Sequence, residues 1–307
     1  MQTLESLKRK IKSAEDLHSV VKTMKALAAV SIRQYEKAVE SLAGYNRTIE
    51  MGFQIILQHK PLGLTMAQPA LNERLGAVVF GSDQGMVGQF NEVIAQHSAT
   101  EMDRLHVTQE NRKLLAVGMR VSARLEEAGH PVEDYIPLPG SVAGITPVVQ
   151  DVALKIEAWR SNEGIDQIVL FHNTPLSGAS YRPRTLYLLP VDLQWFQDLE
   201  HKPWPSRVLP FFNMDWSRLF SSLIQEYLFV SLYRAFAESL ASENASRLAS
   251  MQVAEKNIED RLEELNAQFH QQRQSAIDEE LFDLVAGFEA VAQTERRSGC
   301  ETSKLPD

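Results

Sequence analysis

Gly81-Ser-Asp-Gln-Gly-Met-Val-Gly88 follows directly on the apolar run Gly76-Ala-Val-Val-Phe80. A glycine-rich turn between a strand and a helix is where backbone amides cradle a phosphate, so this is the first place to look for chemistry. A dinucleotide-binding turn needs glycine at the position of Asp83, where the backbone must approach the pyrophosphate, and a carboxylate there repels that anion. A Walker A loop is absent, since no Gly-Lys-Ser or Gly-Lys-Thr occurs in the sequence. Ser82 and Asp83 have no histidine partner at motif spacing. His97, His106, His130, His172 and His201 are scattered without metal-ligand spacing. Cys300 is the single cysteine, which excludes an intrachain disulfide, a thiolate cluster and a redox pair. No catalytic residue, cofactor or metal is predicted from these residues.

The elements around that turn read as an α/β domain over residues 61–212. Short β-branched runs at Gly76–Phe80, Leu114–Val117 and Gln167–Phe171 alternate with helical stretches at Asn91–Leu105 and Val148–Trp159. That alternation is the signature of βαβ units and a mainly parallel, Rossmann-like sheet. Thr185–Pro190 adds an edge strand ended by its proline. Proline-containing segments, Pro61–Pro69 and Pro203–Pro210, bound the domain.

Outside it the period changes to that of a coiled coil. Steps of three and four from Leu4 pass through Leu7, Ile11, Ala14, His18, Val21, Lys25, Ala28, Ile32, Tyr35, Val39, Leu42, Asn46, Ile49, Phe53 and Ile56, an apolar seam interrupted only at His18, Lys25 and Asn46. A helix over residues 1–60 of this kind is roughly 80 Å long. A second seam runs from Leu223 through Tyr227, Val230, Arg234, Ala237, Ala241, Asn244, Leu248, Met251, Glu255, Ile258, Leu262, Leu265, Phe269 and Gln272 to Ala276, with no proline between Pro210 and Pro306. It predicts a helix over 213–293, on the order of 115 Å, followed by a flexible tail at 294–307. Two such seams far apart in sequence call for each other as antiparallel partners.

Charge supports that pairing. Residues 1–37 are net basic and residues 238–283 net acidic, within a chain of 307 residues whose formal charge is −9. The overall sign disfavours nucleic acid, whose affinity is supplied largely by clustered Lys and Arg. An apolar content of 44% excludes general disorder. No uncharged apolar run reaches the length of a membrane span, Leu219–Phe236 being broken by Glu226 and Arg234, and no secretory h-region follows the start. Direct membrane insertion is therefore not expected.

Four stretches, in order, carry a resemblance. Lys12-Ser13 with Val21-Lys-Thr-Met-Lys-Ala-Leu-Ala-Ala29 resembles the amino-terminal signature of the γ subunit of F-type ATP synthases. Ser82-Asp-Gln-Gly-Met-Val-Gly-Gln-Phe-Asn91 is similar to that family's Ser-Asp-x-Gly-x-x-Gly-x-x-Asn loop. Ala241–Met251 with Asn257 resembles its long carboxy-terminal helix, and Ile277–Gly287 its terminal signature. Asp278 departs from the usual threonine and Phe288 from a small residue, and the dithiol insertion of the chloroplast branch is missing.

The resemblance implies a central-stalk rotor, non-catalytic in itself, coupling proton or sodium flow to ATP synthesis or hydrolysis. Its implied partners are the α and β subunits of a catalytic hexamer, an ε subunit and a membrane c-ring. Its implied location is peripheral, on the cytoplasmic face of a bacterial inner membrane, in a main or alternative synthase. Implied contacts with the hexamer are Lys22, Met24, Lys25, Arg247, Met251, Ile277, Leu281, Leu284, Val285 and Phe288. Without the resemblance, two further readings stand: a nucleotide-dependent α/β enzyme dimerising through its helices, and a coiled-coil scaffold.

Geometry adds two expectations. If both helices return to one domain near residues 57 and 214, antiparallel partners sum to about 271, placing Met24 and Lys25 beside Arg247 and Leu248. The amino-terminal helix then runs out opposite Phe269. That leaves roughly 36 Å of the second helix, with Ile277, Leu281, Leu284, Val285, Phe288 and Val291, in need of another protein's cover.

Overall fold

The computed structural model describes residues 3–61, 74–176, 180–204, 208 and 210–301, with side chains through residue 289. Among the described residues six α-helices and five strands are formed: α1 (Leu4–Gln58), β1 (Leu75–Phe80), α2 (Phe90–Arg104), β2 (Arg112–Val117), α3 (Met119–Glu127), β3 (Asp134–Ile136), α4 (Ile145–Glu163), β4 (Gln167–Pro175), β5 (Tyr181–Leu189), α5 (Leu193–His201) and α6 (Trp216–Glu301). The chain divides into two compact units, residues 24–251 and residues 1–23 with 252–307.

In the larger unit the sheet order is β3-β2-β1-β4-β5. The first three pairings are parallel, and β5 runs antiparallel to β4 at the edge. Side chains alternate across the central strands and so build two cores. Leu75, Ala77 and Val79 join Leu114, Ala116, Val169 and Phe171 beneath α2 and α3, through Ile94, Met102, Val121 and Leu125. Val78 and Phe80, with Leu115, Val117, Ile168 and Leu170, face α4 through Val149, Val152, Ile156 and Trp159. The same face receives α6 through Leu232, Ala235, Phe236, Leu240 and Ala241, with Tyr35 of α1. Both faces are thus covered, as parallel strands rich in Val, Leu and Ile require. A third cluster packs Ile49, Phe53, Ile56 and Leu57 of α1 against Phe196 and Leu199 of α5 and Val230 of α6.

Three expected strands and two expected helices lie where the sequence places them. The expected edge strand is longer at its start, from Tyr181, and stops one residue short of Pro190. Its internal Pro183 is tolerated because an edge position needs no second ladder partner. The short elements β3, α3 and α5 have no counterpart among the runs read from sequence. β3 is three residues long and exists because the edge of β2 is there to pair with. α5 is announced only by Asp192, whose side chain accepts from the Gln194 amide at 2.9 Å. The segment Pro61–Pro69, apart from Pro61, much of Pro203–Pro210 and the side chains of Val291 and Cys300 lie outside the described residues. α6 continues past the expected end near Gln293 to Glu301.

The seam on α1 is buried or half-buried at every position read from sequence, including His18, Lys25 and Asn46, and that on α6 at every position except Arg234. In the smaller unit Leu7, Val21 and Leu265 are buried, and the Lys8 ammonium lies 5.8 Å from the Phe269 ring centre. There His18 faces Glu259 at 3.4 Å. Both pairs sum to 277. In the larger unit the Tyr45 hydroxyl donates to Glu226 at 2.6 Å and the Trp216 indole to the Ile56 carbonyl at 2.8 Å, pairs that sum to 271 and 272.

Candidate functional site: the joint that holds the carboxy-terminal helix

The glycine-rich turn is closed by its own side chains. Gly81 donates to the Val117 carbonyl at 2.8 Å, carrying the chain off β1 beside the end of β2. The Ser82 amide donates to Asn91 Oδ1 at 2.9 Å, Asn91 Nδ2 donates to Ser82 Oγ at 2.8 Å, and that hydroxyl donates to the Gln84 carbonyl at 2.9 Å. Asp83 spans the ends of two strands: Oδ1 accepts from the Met119 amide at 2.8 Å and Oδ2 from the Leu138 amide at 2.7 Å. Those amides open α3 and follow β3, so the carboxylate caps backbone that would otherwise lack acceptors. The Ser82, Met119 and Leu138 amides are thus already engaged by Asn91 and Asp83. The serine, aspartate and asparagine singled out by spacing form a latch, with no substrate-facing nucleophile among them.

The far side of the turn touches α6. Ser246 donates its hydroxyl to the Val87 carbonyl at 2.6 Å. Gly88 has φ +55°, and a Cβ there would come 3.3 Å from Ser250 Oγ. Glycine is favoured at this position by backbone hand, and the approach of the helix leaves little room for a side chain.

Further along α6 lies a ladder of buried polar groups, unusual in a helix that is otherwise core. Glu238 is buried, and four groups converge on it. Arg234 Nε donates to Oε1 at 2.6 Å. His172 Nε2, at 3.0 Å, and Thr174 Oγ1, at 3.2 Å, donate to Oε2. Arg184 adds an ion pair at 3.8 Å. A carboxylate only accepts, so His172 carries its proton on Nε2. Burial alone would raise the Glu238 pKa, but the hydrogen bonds and charges of His172 and Arg234 outweigh it and hold it at about 2.

One turn on, Ser242 Oγ bonds both the Asn173 and the Glu238 carbonyls, at 3.0 and 2.8 Å, while Asn173 Nδ2 donates to the Phe90 carbonyl at 3.3 Å. Next, Arg247 donates to Glu243 at 2.6 Å and to Asn244 at 3.3 Å. Burial pushes the Glu243 pKa up; the Arg247 charge opposes this and the Asp83 charge reinforces it. The Glu238 and Ser242 rungs tie α6 to β4 and Ser246 ties it to the turn after β1, while the Arg247 pairs stay within α6. A helix seated only on apolar side chains slides at little cost, whereas one indexed by directional bonds resists displacement along and about its axis.

The ten expected contact residues fall into two groups. Arg247 and Met251 are buried within the larger unit, Arg247 in its ion pair with Glu243. The Arg247 charge also acts on Tyr35, and the cross-helix pairs, which sum to 271, 272 and 277, lie within a turn or two of the expected register. The helices end at Gln58 and begin at Trp216, later than the lengths of the connecting segments suggested. Lys22 is exposed, and Met24 and Lys25 are half-buried. Ile277, Leu281, Leu284, Val285 and Phe288 are all exposed, Phe288 at 76%.

Exposed apolar side chains also stand outside the seam of α1 at Leu17, Val20, Leu27 and Val30. Their spacing of three, seven and three residues was available in the sequence as a second stripe. The Glu238 ladder was not, because its members come from β4, β5 and α6.

A parallel-sheet domain whose buried polar groups serve to index one very long helix, itself partnered by a long amino-terminal helix, defines a helix-bearing stalk subunit. The family model for ATP synthase matches residues 3–291, and the chain belongs to that family, on its γ, central-stalk branch. Solved structures agree in fold. A chain of the Euglena gracilis mitochondrial ATP synthase rotor superposes with a TM-score of 0.61 at 14% identity, covering 89% of this chain and 98% of that one. A central-stalk chain of the Tetrahymena thermophila mitochondrial ATP synthase gives 0.53 at 21% identity, covering 76% and 99%.

Proposed function

We propose that this chain is the rotor subunit of a rotary F-type ATP synthase or ATPase, non-catalytic itself, coupling ion flow through a membrane ring to nucleotide chemistry in an α/β hexamer. One observation carries the reading beyond family membership: the turn placed where a nucleotide enzyme would bind phosphate is latched shut by Ser82, Asp83 and Asn91 and leans on α6 through Val87 and Ser246. The domain works as a holder for a helix. Torque applied to the domain then passes to α6 through the Glu238, Ser242 and Ser246 bonds, and a helix of asymmetric surface biases the surrounding sites by differential contact.

Within this reading Lys22, Met24 and Lys25 are contacts of the hexamer's collar, and Ile277, Leu281, Leu284, Val285 and Phe288 form the face it encloses. The ε subunit and the c-ring meet the domain, and the complex sits on the cytoplasmic face of a bacterial inner membrane, passing protons or sodium ions. No helix among the described residues is long and apolar enough to cross a membrane, which fits peripheral attachment.

The test is isolation of the tagged chain from its native membranes. A nucleotide-hydrolysing hexamer should accompany it in a ratio of one chain per hexamer, and the purified chain alone should bind neither ATP nor NAD at micromolar concentration in calorimetry. Recovery as a free homodimer with measurable nucleotide affinity would favour the enzyme reading. Recovery with unrelated proteins would favour the scaffold.

A further inference from the structure

His18, on α1, interrupts the apolar seam, and two carboxylates meet it from α6. Glu255 and Glu259 stand one helical turn apart and therefore on one face. With His18 they offer one imidazole nitrogen and two carboxylate oxygens, all within 4.8 Å of one another. All three residues belong to the smaller unit. His18 Nε2 is shielded from solvent and makes no hydrogen bond, although Glu259 Oε1 is 3.4 Å away. A tetrahedron of metal bonds about 2.0–2.1 Å long has edges of about 3.4 Å, so this separation also fits two ligands of a single zinc ion.

We propose that His18, Glu255 and Glu259 form a zinc site tying α1 to α6 within the smaller unit. The ligand set favours a transition metal, taken here as zinc, over the hard cations. An imidazole nitrogen with two carboxylates suits zinc, whereas magnesium and calcium take oxygen ligands and, for magnesium, near-ideal octahedral geometry. Three protein ligands leave a fourth position for water. The two carboxylates neutralise the ion's charge, and His18 alone comes from the other helix, so it alone makes the site a cross-link. Because the site needs both helices paired, metal binding and pairing are linked: the ion stabilises the closed pair over any frayed state.

The full-length chain carrying Cys300→Ser, which removes the one competing thiol, is titrated with zinc chloride by calorimetry and then with cobalt chloride by absorption. One equivalent of zinc should bind with micromolar or tighter affinity, magnesium at the same concentration should not, and cobalt should give the visible bands of tetrahedral geometry. His18→Ala should weaken zinc binding at least tenfold and abolish those bands, with helical circular dichroism unchanged. Glu259→Gln provides a second variant that keeps the side-chain shape. Hydrogen exchange should show residues 4–23 protected by zinc in the parent and not in His18→Ala. Absence of a zinc equivalent in the parent, or undiminished binding in both variants, would overturn the proposal. Neither outcome bears on membership of a rotary complex.

Discussion

Gly81→Ala is expected to prevent the central domain from folding. A Cβ at Gly81 would stand 2.2 Å from Val121 Cβ and 2.7 Å from Asn91 Oδ1, and neither can give way. Val121 is fully buried under the sheet, and Asn91 is held by Ser82 on both its amide atoms. Overpacking of a well-filled core costs about 1–3 kcal/mol and sometimes more. Here the loss of the Asn91 latch adds the cost of buried polar groups left unpaired, about 1–3 kcal/mol. That sum approaches the whole stability of an ordinary domain. Gly129→Ala is the control: φ is +82° there, but nothing lies within 4 Å of the added carbon, so only backbone strain of order 1 kcal/mol is expected. Chemical denaturation of the two variants should separate them widely. Equal midpoints would mean that the turn is not the tight joint described.

Glu238→Ala is expected to be the most damaging single change on α6. Removing the carboxylate leaves Arg234, His172 and Thr174 without their shared acceptor; Arg234 reaches solvent, so the cost is that of the buried His172 and half-buried Thr174 groups left unpaired, about 1–3 kcal/mol each. The carboxylate's depressed pKa also sets an acid dependence. A carboxyl lowered from 4.5 to about 2 in the folded state contributes stability that is fully present above about pH 4.5. It is lost as pH falls from there towards 2, and amounts to on the order of 3 kcal/mol. Urea midpoints measured from pH 7 to pH 2.5 should fall more steeply for the native chain than for Glu238→Gln, which has no charge to lose. Parallel curves would show that Glu238 does not carry the effect.

Much of this was legible in the sequence, and the reasons differ by element. The two long helices were readable because a seam at three- and four-residue spacing reports its own partner, and nearly all its positions are buried or half-buried. β1, β2 and β4 were readable because a strand buried on both faces is a continuous apolar run. β3 and α5 were not, being short and formed through tertiary pairing and a single cap. At the turn after β1 the spacing of Ser82, Asp83, Gly85, Gly88 and Asn91 was visible, and Asp83 with the missing Walker A loop argued against phosphate chemistry. What the residues do instead required the positions of Met119, Leu138 and Ser246, which are distant in sequence. The same holds for Glu238, whose partners His172 and Arg184 lie on strands far from it in the chain. Arg247 illustrates the converse, since membership of a conspicuous motif suggested an outward role while its burial directs it to Glu243.

If α6 is a shaft enclosed by other subunits, the segment 277–289 is where enclosure is most directly tested. Its described side chains from Ile277 to Phe288 expose six large apolar residues on a helix, Phe282 among them, and an isolated helix of that length without a packing partner is marginal in water. Hydrogen exchange should be followed by mass spectrometry on the purified chain and on the same chain within the hexamer-containing complex. In the purified chain, residues 277–289 should exchange within seconds while residues 235–247, buried along the Glu238 ladder, stay protected for hours. In the complex the 277–289 segment should slow by at least 100-fold, as enclosure by an apolar sleeve requires. Strong protection of 277–289 in the purified chain, or equally fast exchange in the complex, would contradict the shaft.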